Sequence, residues 1–331
     1  MTVPTVNGSS PLLSVTDLSV QYGGRRGASL VHAVNGVTFT ISKGETLGLI
    51  GESGSGKSTV ARAVVGLQPA SAGSIRLKGV EVWNESHRVQ QAARGSVQIV
   101  FQNPNEALDP RESIAASVSE PVARGLLRRS RQAAEPARRA LELVGLPSSL
   151  HERLPHELSG GQRQRASIAR ALVTNPELII CDEIVSALDV SVQAEIINLL
   201  LDLKRTQGAS YLFITHDLGV VSNVADRIAV MYLGRLAEMG RRESVVSRPV
   251  HPYTRALLAS QPKAISSRHR SGEKPAVLSG AIPSPARPPS GCYFRTRCPM
   301  AAAVCEEQRP EFREVHPGHW AACHFAGGTL S

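Results

Sequence analysis

The chain has 331 residues, of which 42% are hydrophobic and 20% are charged, and its formal net charge at pH 7 is +9. This length and apolar content predict a globular protein with one large domain and a smaller one. No apolar run approaches the roughly 18 residues of a membrane-spanning helix, and residues 1–15 lack the basic and apolar segments of a secretory signal, so we expect a cytoplasmic protein.

Short apolar runs alternate with helical patterns up to about residue 240. TLGLIG at 46–51 and ELIICDE at 177–183 indicate buried parallel strands, and VQAEIINLLLDLKR at 192–205 has helical periodicity. This alternation predicts an α/β fold with a mostly parallel sheet.

A phosphate-binding motif follows the first of these strands. GESGSGKST contains Gly51, Gly56, Lys57 and Ser58 in the pattern G-x-x-x-x-G-K-[ST], and a helical segment follows it. The glycines allow successive backbone N–H groups to point at phosphates. Lys57 would reach the β- and γ-phosphates, and the hydroxyl of Ser58 would bind Mg²⁺.

An arginine-rich stretch at 117–145 is helical in composition but is interrupted by prolines. This stretch could be a nucleic-acid-binding face or an ordinary solvated helix surface. The net charge of the chain does not distinguish the two, because many solvated surfaces are basic. The arginines concerned are Arg128, Arg129, Arg131, Arg138 and Arg139.

Two further segments carry residue types that act on phosphates. LSGGQRQR at 158–165 precedes a helical pattern, and the N-terminus of that helix predicts a second anion site. LIICDE ends an apolar strand with Asp182, which would hold Mg²⁺, and Glu183, which would orient or deprotonate the attacking water.

These motifs, with SALD at 186–189 and FITHD at 213–217, resemble the ATP-binding-cassette (ABC) ATPases over about residues 12–240. In chain order they are Gly51–Ser58, Gln102, Ser159–Gln162, Asp182–Glu183, Asp189 and His216. The resemblance implies an antiparallel β subdomain at the N-terminus and a helical subdomain that carries the 158–165 motif. It also implies that two cassettes pack head to tail and complete each other's ATP site.

The resemblance assigns roles residue by residue. It implies that Glu183, His216 and Gln102 are catalytic, that Gln102 senses Mg²⁺ and the γ-phosphate, and that Tyr22 stacks on adenine. Mg²⁺ would be held by Ser58, Gln102 and Asp182. The implied ATP-binding residues are Tyr22, Gly51, Ser53, Gly54, Gly56, Lys57, Ser58, Thr59, Gln102, Ser159, Gly160, Gly161, Gln162 and Asp182.

Longer segments resemble one subfamily, the ATPase subunits of oligopeptide and dipeptide importers, which also serve nickel and glutathione uptake. These segments are 101–111, 182–196, 215–240 and HPYTRALL at 251–258. The resemblance implies a nucleotide-binding domain at 12–250 and a C-terminal extension at 251–331. It also implies a paralogous second cassette, two permease subunits, a solute-binding protein and a place on the cytoplasmic face of the membrane. Ile184 and Val185 stand where many relatives carry Pro-Thr, but Glu183 is retained.

An ABC-type ATPase that acts on DNA is the alternative function. Such proteins usually interrupt the cassette with a long coiled coil or a zinc insert, and no heptad run is present here. We therefore expect an importer subunit without a nucleic-acid partner.

Four of the five cysteines lie near the C-terminus, after a connector at 263–290 that is rich in Pro, Ser, Gly and Arg. Cys292, Cys298, Cys305 and Cys323 contain no C-x-x-C pair, so spacing leaves open zinc, a [4Fe–4S] cluster and four unpaired thiols. His316, His319 and His324 are close enough in sequence to substitute as ligands. The resemblance to dipeptide-importer ATPases implies the [4Fe–4S] cluster.

Overall fold

The computed structural model describes residues 10–23, 30–82, 95–125, 130–260 and 280–327. Two sheets organise this part of the chain. The smaller sheet is antiparallel and has the strand order β2-β1-β4-β5. Its strands are β1 (Leu13–Tyr22), β2 (Val31–Ile41), β4 (Ala72–Leu77) and β5 (Val80–Glu81). The predicted N-terminal β subdomain is therefore confirmed.

The larger sheet has the order β11-β12-β10-β9-β3-β8-β7-β6 among the described residues. Its strands are β3 (Thr46–Ile50), β6 (Val97–Val100), β7 (Leu178–Asp182), β8 (Ser210–Thr215), β9 (Arg227–Tyr232), β10 (Arg235–Arg241), β11 (Arg313–His316) and β12 (His319–Ala321). The strands from β9 to β6 pair in parallel, and β10, β11 and β12 pair antiparallel.

The central strands are buried along their whole length, which explains why their sequences are continuous apolar runs. Because these strands are parallel, their carboxyl ends meet at one edge of the sheet. The residues that follow β3, β6, β7 and β8 are thus gathered at this edge.

Nine helices connect and cover the sheets in the described residues. They are α1 (Lys57–Val64), α2 (Ile114–Gly125), α3 (Ser130–Leu143), α4 (Gly160–Leu172), α5 (Val190–Gln207), α6 (Leu218–Val224), α7 (Arg242–Ser247), α8 (Pro252–Ala259) and α9 (Ala303–Glu307). Helices α2, α3 and α4 pack against one another and form the predicted helical subdomain. None of the described helices is long and apolar enough to cross a bilayer.

The core lies on both faces of the larger sheet. On one face, strand residues such as Leu47 and Leu212 pack with the β subdomain; on the other, Phe213 packs in a cluster that includes Leu141 and Ile168 of the helices. Because both faces of these strands are covered by other layers, consecutive strand residues are apolar on both sides of the sheet.

One expectation about regular structure needs correction. Pro121 and Pro136 lie inside α2 and α3 instead of interrupting the helical stretch, and the helices continue because Val118 and Ala137 beside them are buried in the core. In the C-terminal region, β11 and β12 extend the cassette's own sheet. In the predicted connector, residues 280–290 have no regular structure, and 261–279 lie outside the described residues.

Candidate nucleotide-binding site

The glycine loop runs from the end of β3 to the start of α1, as its motif predicts. A Cβ atom on Gly51 would lie 2.2 Å from the carbonyl oxygen of Met231, and one on Gly56 would lie 2.3 Å from that of Ala33. Gly56 also has a φ of +103°, which disfavours any other residue. Ser53 and Gly54 are exposed at the tip of the loop, so the loop offers its backbone to a ligand there.

Lys57 is the buried cation of this loop, with only 4% of its surface exposed. Its Nζ donates hydrogen bonds to the carbonyl oxygens of Gly51 (2.8 Å) and Glu52 (3.0 Å). Burial lowers the pKa of Lys57, and the charges of Glu183, Asp182 and Glu52 oppose this shift. A buried ammonium group held at a loop of backbone N–H groups is chemically suited to bind phosphate oxygens.

Ser58 and Asp182 meet beside Lys57, although 124 residues separate them in sequence. Oγ of Ser58 donates a 2.9 Å hydrogen bond to Oδ1 of Asp182. Burial raises the pKa of Asp182, and the bond from Ser58 opposes that rise. Hydroxyl and carboxylate oxygens are the ligands that Mg²⁺ prefers, so this pair fits the metal of an ATP complex.

Glu183 follows Asp182 and has a φ of +52°, a left-handed conformation that is uncommon for a residue with a side chain. Its backbone N–H donates to the carbonyl oxygen of Ile214, and its Oε2 lies 3.3 Å from Nδ1 of His216. Its Oε1 lies 3.9 Å from Nζ of Lys57. The structure therefore places the predicted catalytic Glu183 beside the lysine of the loop, and the predicted catalytic His216 beside Glu183.

Gln102 is linked to Glu183 through Ser186. Its Nε2 donates to Oγ of Ser186 (3.1 Å), and that hydroxyl donates to the backbone carbonyl oxygen of Glu183 (2.8 Å). In the described residues Gln102 thus contacts the turn that carries Glu183, and neither Ser58 nor Asp182 is bonded to it. Ser186 is an intermediate that sequence reasoning missed.

Tyr22 lies at the end of β1, and its hydroxyl is 3.5 Å from Oγ1 of Thr59 in α1. With 37% of its surface exposed, the ring is accessible beside the glycine loop. This position is compatible with stacking on a base whose phosphates lie in the loop.

The 158–165 motif forms a capped helix start. Ser159 and Gln162 hold each other at the start of α4, because the N–H of each donates to the side-chain oxygen of the other. A Cβ atom on Gly161 would lie 2.7 Å from Val192, while Gly160 is less crowded. No hydrogen bond or ion pair among the described residues joins this motif to residues 51–59. Asp189 caps α5 through the N–H of Val192 and takes no part in the loop's contacts.

Three loop contacts were not predicted from the sequence. The N–H of Glu52 donates to the hydroxyl of Tyr253 (2.9 Å), and the carboxylate of Glu52 is paired with Arg297 (2.6 and 2.9 Å). Both partners lie in the predicted C-terminal extension. The glutamate is visible within GESGSGKST, but nothing local in the sequence indicates which residues it contacts.

The four C-terminal cysteines are free thiols that lie within electrostatic range of one another. Burial raises the pKa of Cys292 to about 11, and the three other thiols add to this rise. In the described residues, which include all four cysteines, no three potential ligands are arranged to hold a metal ion. His319 and His324 bond to Glu238 and to a backbone oxygen. As they stand, the four thiols do not form a metal site, and binding of a metal or cluster would require their side chains to reorient.

The arginine-rich stretch is partly outside the described residues, which omit Arg128, Arg129 and the side chain of Arg131. Arg138 pairs with Glu135 and Glu142, and Arg139 pairs with Glu135. These pairs on one helix favour the solvated-surface interpretation.

The fold and this arrangement of loop, lysine and acidic strand end define the class of the protein as a P-loop nucleoside triphosphatase. Residues 34–186 match the family model described as ABC transporter, and residues 237–305 match that described as oligopeptide/dipeptide transporter, C-terminal region. The chain belongs to the ABC transporter family and is an ABC-type ATPase.

Individual relatives agree with this assignment. The oligopeptide transport ATP-binding protein AppF of Bacillus subtilis is 48% identical over 297 residues, which are 89% of each chain. The ATP-binding cassette MJ0796, in a dimeric post-hydrolysis state bound to ADP and Pi, is 27% identical with a TM-score of 0.62, over 70% of this chain and 98% of its own. CbiO1 from Clostridium perfringens, part of the ABC transporter complex cbiONQ, is 29% identical with a TM-score of 0.63, over 72% and 92%.

Proposed function

We propose that this chain is the ATP-hydrolysing subunit of an importer of oligopeptides or dipeptides. The observation that carries the proposal is that one chain joins an ABC cassette to the oligopeptide/dipeptide C-terminal region. The name of AppF supports the same substrate class. No specific observation favours an ATPase that acts on DNA or an importer of nickel or glutathione.

The side chains of the site would have separate roles in ATP hydrolysis. Lys57 and the backbone of 51–58 would bind the β- and γ-phosphates, and Ser58 and Asp182 would hold Mg²⁺, which when bound neutralises phosphate charge. Glu183 would accept the proton of the attacking water. Nδ1–H of His216 would donate to Glu183, which fixes the imidazole beside the γ-phosphate.

The second half of the ATP site would come from a partner cassette. Ser159–Gln162 lie at an exposed helix start and are not bonded to the loop of their own chain among the described residues. The dimeric state of MJ0796 supports the pairing of two cassettes. We propose that they pack head to tail, with each chain's motif facing the other's loop. We propose a paralogous second cassette, two permease subunits and a solute-binding protein as partners, and a peripheral position on the cytoplasmic face of the membrane.

The division into a nucleotide-binding domain at 12–250 and an extension at 251–331 stays a proposal.

We also propose that Cys292, Cys298, Cys305 and Cys323 hold a [4Fe–4S] cluster, with zinc as the alternative. The support is the gathering of four thiols in one small region; binding requires that they rotate towards a common centre, because they do not form a metal site as they stand.

Anaerobic purification with iron, sulfide and zinc analysis tests the cluster. Iron and sulfide with visible absorption are expected. Colourless protein with one zinc per chain would replace the cluster by zinc, and protein without either metal would leave four unpaired thiols.

Uptake of labelled peptides tests the transport function. Deleting the gene in its native host should abolish uptake of labelled di- or oligopeptides, and the wild-type gene should restore it while the Lys57→Ala gene should not. Unchanged peptide uptake in the deletion strain, together with lost nickel or glutathione uptake, would contradict the peptide assignment.

A further inference from the structure

Glu52 is the residue of the glycine loop that is held from three directions. Its N–H donates to the hydroxyl of Tyr253 at 2.9 Å, and its carbonyl oxygen accepts from Nζ of Lys57 at 3.0 Å. Its carboxylate receives two hydrogen bonds from Arg297, at 2.6 and 2.9 Å. Glu52 therefore links the loop's lysine to Arg297, which lies 245 positions after Glu52 in the chain.

Arg297 approaches the loop from the cysteine-bearing extension. It ends the short helical turn Arg295–Arg297, directly before Cys298, and only 4% of its side chain is exposed. The two parallel bonds match the planar guanidinium to the carboxylate, a geometry that fixes direction as well as distance. A partly buried pair of this kind is sensitive to loss of either partner.

An aromatic cluster holds this turn against the cassette. The ring of Phe294 packs edge-on against Tyr232 at 5.3 Å and lies 5.4 Å from Tyr253, and the two tyrosine rings are 4.7 Å apart. The guanidinium of Arg297 lies 5.9 Å from the ring centroid of Tyr232. The same cluster thus positions both groups that hold Glu52, namely the hydroxyl of Tyr253 and the guanidinium of Arg297.

A buried hydrogen bond fixes the extension to the same part of the sheet. Nε2 of His319 in β12 lies 2.7 Å from Oε1 of Glu238 in β10, and both side chains are almost fully buried. The carboxylate of Glu238 also accepts from the N–H groups of Val250 and His251, which precede the helix that carries Tyr253. The extension and α8 are therefore anchored together beside the glycine loop.

We propose that Arg297 is a positioning residue for nucleotide binding, which acts through Glu52 on the glycine loop and on Lys57. The inference rests on the proposed binding of ATP at this loop. A loop with glycines at three positions has large backbone freedom, and an external restraint lowers the entropy that is lost when phosphates bind. The C-terminal extension thereby sets nucleotide affinity, while Glu183 and His216 make no bond to the described part of the extension.

The test compares Arg297→Gln with Arg295→Gln. Arg295 is on the same turn and carries the same charge, but the bonds that its side chain makes to described residues go to Ser290 and Glu306. We expect Arg297→Gln to weaken MgATP binding about tenfold by calorimetry and to raise KM by a similar factor, with kcat changed less than about twofold. Arg295→Gln should bind MgATP as the wild type does.

Glu52→Gln removes the charge of the other partner of the Glu52–Arg297 bond. This variant replaces Arg297→Gln in the test if Arg297→Gln does not fold. It should also weaken binding about tenfold, and the double variant should bind no more weakly than either single variant, because only one interaction is lost. Losses that multiply in the double variant would overturn the proposal.

Lys57→Ala separates failure of this proposal from failure of the proposed function. If Lys57→Ala loses MgATP binding while Arg297→Gln and Glu52→Gln both bind like Arg295→Gln, the positioning role of Arg297 is wrong and the ATP site stands. If Lys57→Ala binds MgATP normally, the assignment of the ATP site itself is wrong.

Discussion

The hydroxyl of Ser58 donates a 2.9 Å hydrogen bond to Oδ1 of Asp182, which joins the start of α1 to the end of β7. Both oxygens lie where Mg²⁺ would bind. We expect Asp182→Asn to retain binding of metal-free ATP and to lose most of the gain in affinity that Mg²⁺ provides, because an amide oxygen is a weaker ligand than a carboxylate. Titrations with ATP at varied Mg²⁺ check this. Asp202→Asn, at an exposed aspartate, is the control. An unchanged Mg²⁺ response would remove Asp182 from the metal site.

Lys57→Ala should lower ATP affinity by roughly tenfold to a hundredfold, because charge-assisted hydrogen bonds to the phosphates are lost. Calorimetry on the purified chain measures it directly. Lys43→Ala, at an exposed lysine in the turn before β3, should bind ATP normally. Equal affinities for the two variants would contradict the role assigned to Lys57.

Ser159→Arg should block ATP-driven association of cassettes while ATP binding by the single chain stays intact. The new side chain would lie at the exposed helix start where the partner's nucleotide is expected, and it would also remove the hydroxyl that caps α4. Association is measured by light scattering in the presence of MgATP. Each chain also carries Glu183→Gln, which slows hydrolysis. Ser149→Arg adds the same side chain at another exposed site of the helical subdomain. Dimers of Ser159→Arg that form as readily as those of Ser149→Arg would disprove the composite site.

We expect His251 to make the stability of the folded chain depend on pH. It is fully buried, its Nδ1 accepts from the N–H of Tyr253, and burial lowers its pKa from 6.5 to about 4. The unfolded chain therefore binds a proton near pH 6.5 that the folded chain does not bind until about pH 4. Stability is full above pH 6.5 and falls by on the order of 3 kcal/mol as pH decreases through this interval.

Thermal melts between pH 7.5 and 4.5 check this dependence. His251→Asn keeps an acceptor that can cap α8 but removes the titrating group, so its Tm should fall less with acid than that of the wild type. His156→Asn, at an exposed histidine, should melt like the wild type at every pH. A wild-type Tm that does not respond to acid would show that His251 does not titrate in this way.

Much of the site could be predicted because its parts are local patterns placed by a parallel sheet. The glycine loop, the Asp182–Glu183 pair and His216 each follow a buried strand, and parallel strands bring those ends to one edge. The bond between Glu52 and Arg297 could not be predicted, because neither residue's neighbours indicate a partner 245 positions away.

The C-terminal region was the least predictable part of the fold. β11 and β12 are short and follow a Pro-rich stretch, so their sequence shows no strand periodicity. They form because β10 offers a free edge to β12 and because His319 reaches the buried Glu238. Cysteine spacing likewise does not determine whether the thiols share a ligand, because that depends on side-chain rotation.

Steady-state ATP hydrolysis by Glu183→Gln in the assembled transporter tests the assignment of this chain as an ATPase most directly. The amide keeps the shape of the side chain but does not accept the proton of water, so we expect turnover to fall by about 100-fold or more while ATP binding is retained. Glu177→Gln, at the opposite end of β7, should hydrolyse ATP at the wild-type rate. Turnover by Glu183→Gln close to that of the wild type would contradict the catalytic site described.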